Sequence, residues 1–141
     1  MLAQHDPRDL LWTSLALATA RLSHSLQIAT DGEEAIGYLS RRGRFANRRR
    51  YSFPVLMLLD LTLPKVTGLE LLEWKEQREE LRNLPVVALA TTHDDPAAAR
   101  ALELGAVSCL AKPPEPEALR QVVDQFDTYW LTNPTASSVF S

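Results

Sequence analysis

Val55-Leu56-Met57-Leu58-Leu59-Asp60-Leu61-Thr62-Leu63-Pro64-Lys65-Val66-Thr67-Gly68 is the stretch that decides the architecture. Its first five residues are apolar without alternation, which is how a strand buried on both faces of a parallel sheet reads. Two runs of the same kind follow, over residues 86–90 and 107–111. Helix-period segments separate them over 68–80, charged on its outer face, and 96–104, rich in alanine. Upstream, a strand over 26–29 leads to a helix over 32–42, with Asp31 as N-cap and Glu33 and Glu34 in its first turn. Before that, Leu11, Leu15, Ala18 and Leu22 form one apolar stripe behind Pro7, which is suited to a helix's first turn. The C-terminal helix carries Leu119, Val122, Val123, Phe126 and Trp130 at the same spacing. With a short first strand over 1–4, the pattern is strand–helix five times. That alternation predicts an α/β fold, a doubly wound parallel sheet with helices on both faces. One domain is expected over 1–131, followed by a polar, aperiodic tail over 132–141. So short a first strand also raises the expectation that the natural chain starts upstream of Met1.

Composition agrees with one globular domain: 141 residues, 45% hydrophobic and 23% charged. A net charge of -3 gives no global attraction to nucleic acid or anionic membrane, so neither is expected as a partner. Cys109 is the single cysteine, which fits a reducing, cytoplasmic setting. No apolar run reaches the length of a membrane span, and Met1 does not open an export signal.

In an open parallel sheet, ligands bind beyond the carboxyl ends of the strands. That rule selects residues 4–9, 60–64, 90–95 and 112–113. An aspartate such as Asp60, where apolar walls meet solvent, can serve as a nucleophile. Lys112 can neutralise charge from across the sheet. Position alone allows a plainer reading equally well, with Asp60 as a loop cap and Lys112 as a solvated end.

Taken together, Leu58-Leu59-Asp60-Leu61-Thr62-Leu63-Pro64-Lys65-Val66-Thr67-Gly68, Asp31-Gly32-Glu33-Glu34-Ala35 and Leu104-Gly105-Ala106 through Lys112-Pro113 resemble the response-regulator receiver family. The resemblance covers nearly the whole chain. It implies the flavodoxin-like strand order 2-1-3-4-5, Asp60 as phospho-acceptor, Lys112 as phosphoryl contact and a cis Lys112–Pro113 bond. The long loop before the third strand and the closing Tyr129-Trp130 further resemble stand-alone regulators associated with phytochrome-type kinases.

In three places, four residues in all, the chain departs from that family's pattern. Gln4 and His5 stand where the family has two acids for Mg²⁺, and Mg²⁺ prefers carboxylate oxygen and water. The metal set left by the resemblance is Asp60, Asp6 and the backbone carbonyl of Thr62. Ala90 stands where a hydroxyl donor to the phosphoryl group is usual, which leaves Thr91, one residue late, as its candidate. Cys109 replaces the aromatic residue that moves inward on activation. A hydrogen bond to a charged group contributes about 1.5–3 kcal/mol. Driving a switch from 1:99 to 99:1 takes about 5.5 kcal/mol. Losing one such contact therefore removes a large share, and weak switching is expected.

The implied function is that of a two-component response regulator. A histidine kinase or phosphotransfer protein supplies the phosphoryl group, and the signal leaves by protein contact. The alternative is a pseudo-receiver, an interaction module independent of phosphorylation. Enzyme readings fare poorly: a dehalogenase-like phosphatase wants a second aspartate at Thr62, and the five glycines never form G-x-G. Arg41, Arg42, Arg44, Arg48, Arg49 and Arg50 form a basic cluster that reads as a solvated loop, because only Phe45 and Tyr51 accompany it. His5, His24 and His93 are too scattered for a metal set, and Glu70, Glu73, Glu76, Glu79 and Glu80 make an exposed acidic face. Tyr129 and Trp130, with the resemblance, favour a homodimer through the helix 4–strand 5–helix 5 face.

Overall fold

The computed structural model describes residues 1–22, 26–47, 50, 54, 56–92 and 94–125. Five parallel strands, β1 (Leu2–Ala3), β2 (Ile28–Ala29), β3 (Met57–Asp60), β4 (Val86–Ala90) and β5 (Ser108–Ala111), lie in the order β2-β1-β3-β4-β5. Five helices connect and flank them: α1 (Pro7–Thr19), α2 (Gly32–Leu39), α3 (Gly68–Glu76), α4 (Pro96–Glu103) and α5 (Pro116–Gln125). The flavodoxin-like order expected from the resemblance is therefore the observed one.

Side chains on successive strand residues point to opposite faces, and this sorts the core into two layers. Leu2, Leu58, Val87 and Leu89 pack with Ala16 and Leu17 of α1 and Leu119, Val122 and Val123 of α5. Ala3, Met57, Leu59, Val86, Ala88 and Ala90 pack with Ala35 and Leu39, Leu71 and Leu72, and Ala98 and Ala101 of α2, α3 and α4. Every residue of β3 and β4 is buried, as unbroken apolar runs require at the centre of such a sheet.

Several boundaries tighten. Asp60 is the last residue of β3 rather than the first beyond it, and β1 stops at Ala3. The helix expected over 32–42 ends at Leu39, because Arg41 turns to φ 59°. The one expected over 68–80 ends at Glu76, and a separate 3-10 turn, Glu79–Leu81, follows. That turn buries Leu81, which a continued helix would not place in the same way.

The stripe expected on α1 is a correction. Leu22 is buried, but Leu11 is 58% and Leu15 49% exposed, and Ala18 is exposed as well. The buried face is Thr13, Ala16 and Leu17. The segment is apolar around much of its circumference, so two stripes compete at helical spacing. On α5, Leu119, Val122 and Val123 are buried as expected. Phe126, Tyr129, Trp130 and the tail over 132–141 lie outside the described residues, as do His24, Arg48, Arg49, Tyr51 and His93.

Candidate functional site

Asp60 ends β3 at the carboxyl edge of the sheet, with only 2% of its surface exposed. The loop after it is held by two close approaches. A Cβ at Gly68 would lie 2.6 Å from the Leu61 Cα and 2.8 Å from the Asp60 carbonyl oxygen, so α3 can start there only on glycine. A Cβ at Gly32 would run into the Val66 carbonyl, and the Gly32 N–H donates to the Pro64 carbonyl at 3.2 Å. The two glycines of the sequence motifs thus lock the segment that carries Asp60. A capping box on Thr67 and Glu70 fixes the start of α3.

The two carboxylate oxygens of Asp60 have different surroundings. Oδ1 accepts from the Thr62 backbone N–H at 2.9 Å, the Thr62 hydroxyl at 2.7 Å and Lys112 Nζ at 3.0 Å. Oδ2 accepts from Lys112 Nζ alone among the described residues, at 3.1 Å. Lys112 also donates to Thr62 Oγ1 at 3.1 Å and lies 3.4 Å from Asp9 Oδ2. The Lys112 backbone N–H is anchored to the Ala90 carbonyl at 2.8 Å, and the Lys112–Pro113 bond is cis, as expected.

Asp60 and Lys112 are therefore brought together from opposite sides of β4. Thr62 joins them, but through its hydroxyl and amide. Asp9 closes the segment 4–9 that the strand-end rule selects, but the sequence assigns it no role there. It lies in the first turn of α1, and where it points depends on the rotation of that helix. Asp6 departs from its expected role as a metal ligand. It is fully exposed, and its Oδ1 caps α1 by accepting from the Arg8 and Asp9 amides at 2.8 and 3.3 Å. Those two backbone bonds hold its carboxyl below the usual aspartate range. Thr91 is exposed just beyond β4 and contributes none of the Asp60 hydrogen bonds given above.

Gln4 follows the pair Ala3–Leu59 and so stands beside Asp60. It is fully buried, and neither Nε2 nor Oε1 has a partner among the described residues. His5 is exposed. Cys109 is half-buried against a cavity of about 250 Å³ lined by Thr92, Ala98, Ala99, Leu102 and Leu110. Burial, and secondarily the charge of Asp95, pushes its thiol pKa up, so it is a filler rather than a reactive thiolate.

Comparison with known proteins bears on this geometry directly. The response regulator receiver domain family matches residues 6–124. The chain belongs to that family. It is 32% identical over 135 residues to the response regulator Rcp1 of Synechocystis sp., covering 96% of this chain and 90% of Rcp1. A Mn²⁺-bound structure of Rcp1 superposes with a TM-score of 0.68 at 30% identity, covering 94% of each chain. The bacteriophytochrome response regulator AtBRR gives 0.77 at 36% identity over 87% of each chain. The phosphorylated cyanobacterial phytochrome response regulator RcpA gives 0.70 at 31%, over 92% of this chain and 91% of that one. The receiver function is accordingly phosphorylation-based two-component signalling, and the resemblance to phytochrome-associated regulators holds. Among the described residues, no helix is long and apolar enough to cross a membrane.

Proposed function

We propose that Asp60 accepts a phosphoryl group from a histidine kinase or phosphotransfer protein, and that Oδ2 is the attacking oxygen. The unequal loading of its carboxylate carries this reading. Oδ1 is held by three donors, whereas Oδ2 has only the Lys112 ammonium on it, which it shares with Oδ1. The Oδ2–P bond forms as the bond from phosphorus to the donor nitrogen breaks, and the departing imidazole takes up a proton. Lys112 then follows the new charge onto the phosphoryl oxygens, while Thr62 keeps Oδ1 in place. Such transfer depends mainly on positioning and on neutralising charge.

The residues do not form a good Mg²⁺ site. Gln4 offers one neutral amide oxygen, His5 points to solvent, and Asp6 is committed to its helix. Among the described residues no three His, Cys, Asp or Glu side chains cluster for a metal. No step is therefore routed through the metal, and Lys112 carries the neutralisation. The pseudo-receiver reading is the less supported, because the acceptor and its lysine are intact. A homodimer through α4, β5 and α5 draws support from Leu102 and Val107, which are 49% and 46% exposed on that face. A cytoplasmic setting suits the single free cysteine.

Incubation with a small phospho-donor should give a base-labile mass increment that is absent in Asp60→Asn. An intact fold with no increment would remove the proposal. Its dependence on Mg²⁺ should be slight in the natural chain. The triple variant Gln4→Glu, His5→Asp, Ala90→Thr should phosphorylate faster and require the metal.

A further inference from the structure

One buried group beside the acceptor is still without a task. Gln4 comes directly after β1, and the register Leu2–Leu58 and Ala3–Leu59 sets it level with Asp60. The Gln4 N–H still donates to the Ala29 carbonyl at 3.0 Å, so the chain stays extended there. Side chains alternate along a strand, and the residues before this pair therefore fix its direction. Leu2 and Leu58 belong to the layer under α1 and α5, Ala3 and Leu59 to the opposite one. Gln4 and Asp60 thus return together to the α1–α5 face. Neighbouring strands lie about 4.8 Å apart, which puts the Asp60 carboxylate within reach of a glutamine side chain.

We propose that Gln4 is a catalytic residue: its carboxamide N–H donates to a phosphoryl oxygen as that group settles on Asp60, a role that rests on Asp60 being the acceptor. Gln4 is fully buried, and neither Nε2 nor Oε1 has a partner among the described residues, not even the carboxylate beside it. Buried amides are nearly always hydrogen-bonded, and an unspent one next to a nucleophile is a donor held ready for charge that arrives later. The lysine is already divided, since Nζ serves Asp60 Oδ1 and Oδ2, Thr62 Oγ1 and Asp9. An ammonium has three protons, and a phosphoryl group brings three further acceptor oxygens. β4, on the other side of β3, reads Val86-Val87-Ala88-Leu89-Ala90 and offers no polar side chain. Of the two strands that flank Asp60, only β1 leads to a donor.

A carboxylate in this place would only accept, would repel an incoming phosphoryl group and would need a cation between them. A carboxamide of the same shape donates and carries no charge. The change from acid to amide thus turns a contact made through a metal into a direct one, in keeping with the poor fit for Mg²⁺.

Rates of phosphorylation of the whole chain by phosphoramidate, in EDTA and in Mg²⁺, test the assignment. Gln4→Leu keeps size and burial and removes the donor. It should slow the reaction in EDTA by about tenfold or more. Its melting temperature should stay level or rise, because a buried polar group without a partner is gone. Gln4→Glu keeps the shape but not the N–H, and should be slow in EDTA and recover in Mg²⁺. Thr13→Val, which alters an equally buried and unpartnered hydroxyl on α1, should react like the natural chain. In the ¹⁵N-labelled natural chain, the Gln4 side-chain amide protons should move downfield on phosphorylation and stay in place in Asp60→Asn. The proposal is overturned if Gln4→Leu or Gln4→Glu in EDTA reacts as fast as the natural chain, if Thr13→Val slows it equally, or if the amide resonance does not respond. In each of those cases an increment on the natural chain leaves the acceptor role of Asp60 standing. A natural chain that takes up no phosphoryl group overturns both readings at once.

Discussion

Asp60 is a carboxylate almost out of reach of water, held against one ammonium, one hydroxyl and one backbone amide. Removing one member of a buried pair costs about 3–5 kcal/mol, chiefly because the other charge is left uncompensated. Lys112→Met should therefore lower the unfolding free energy by an amount of that order in denaturant titrations. In the Asp60→Asn background the same change should cost far less, and this double-mutant comparison isolates the coupling. An equal loss in both backgrounds would show that Lys112 acts through packing alone. The partnership of these two residues was legible from sequence, because each ends an apolar run and the strand-end rule converges them. Asp9 was not legible as a participant. Its placement depends on the rotation of α1, and that rotation is settled by packing.

At the level of elements, the N-terminus of α2 carries a testable charge. The Glu34 amide donating to Asp31 Oδ1 at 2.8 Å holds that carboxyl below its usual 3.8, against a smaller upward push from burial, with Lys65 at 3.3 Å assisting. A carboxyl depressed in the folded state binds fewer protons than it does unfolded. Its contribution is complete above the ordinary aspartate pKa and disappears as pH falls through the folded one. Asp31→Ala should cost about 1 kcal/mol at neutral pH, with the gap to the natural chain closing in acid. A gap that stays constant into acid would mean that the cap contributes through geometry rather than charge. The existence and order of all ten elements could be read from period and capping signals. The phase of α1 could not, since Leu10, Thr13 and Leu17 compete with Leu11, Leu15 and Ala18 at equivalent spacings. What decides between them is a long-range contact: Leu17 meets Leu2 and Leu58 in the layer beneath, while the other stripe is left in solvent.

For the molecule as a whole, that leftover stripe is a surface. Leu11, Trp12 and Leu15 are all about half exposed on one helix, whose first turn also supplies Asp9 to the acceptor site. Exposed apolar residues gathered in this way mark interaction surfaces. A partner that delivers a phosphoryl group to Asp60 must cover the ground around it. Trp12→Ser should leave thermal stability within about 0.5 kcal/mol, since no core contact is lost. It should raise the KM for the phosphorylated partner protein while leaving phosphorylation by a small donor unchanged. If both donors slow alike, the residue supports the fold instead. Lys112 links this surface to the chemistry, because one ammonium is divided between Asp60 and Asp9. Phosphorylation makes the first claimant more anionic and leaves the second with a smaller share. On the proposed acceptor role of Asp60 the lysine works as a balance arm: charge added at the end of β3 is subtracted from the tether of α1.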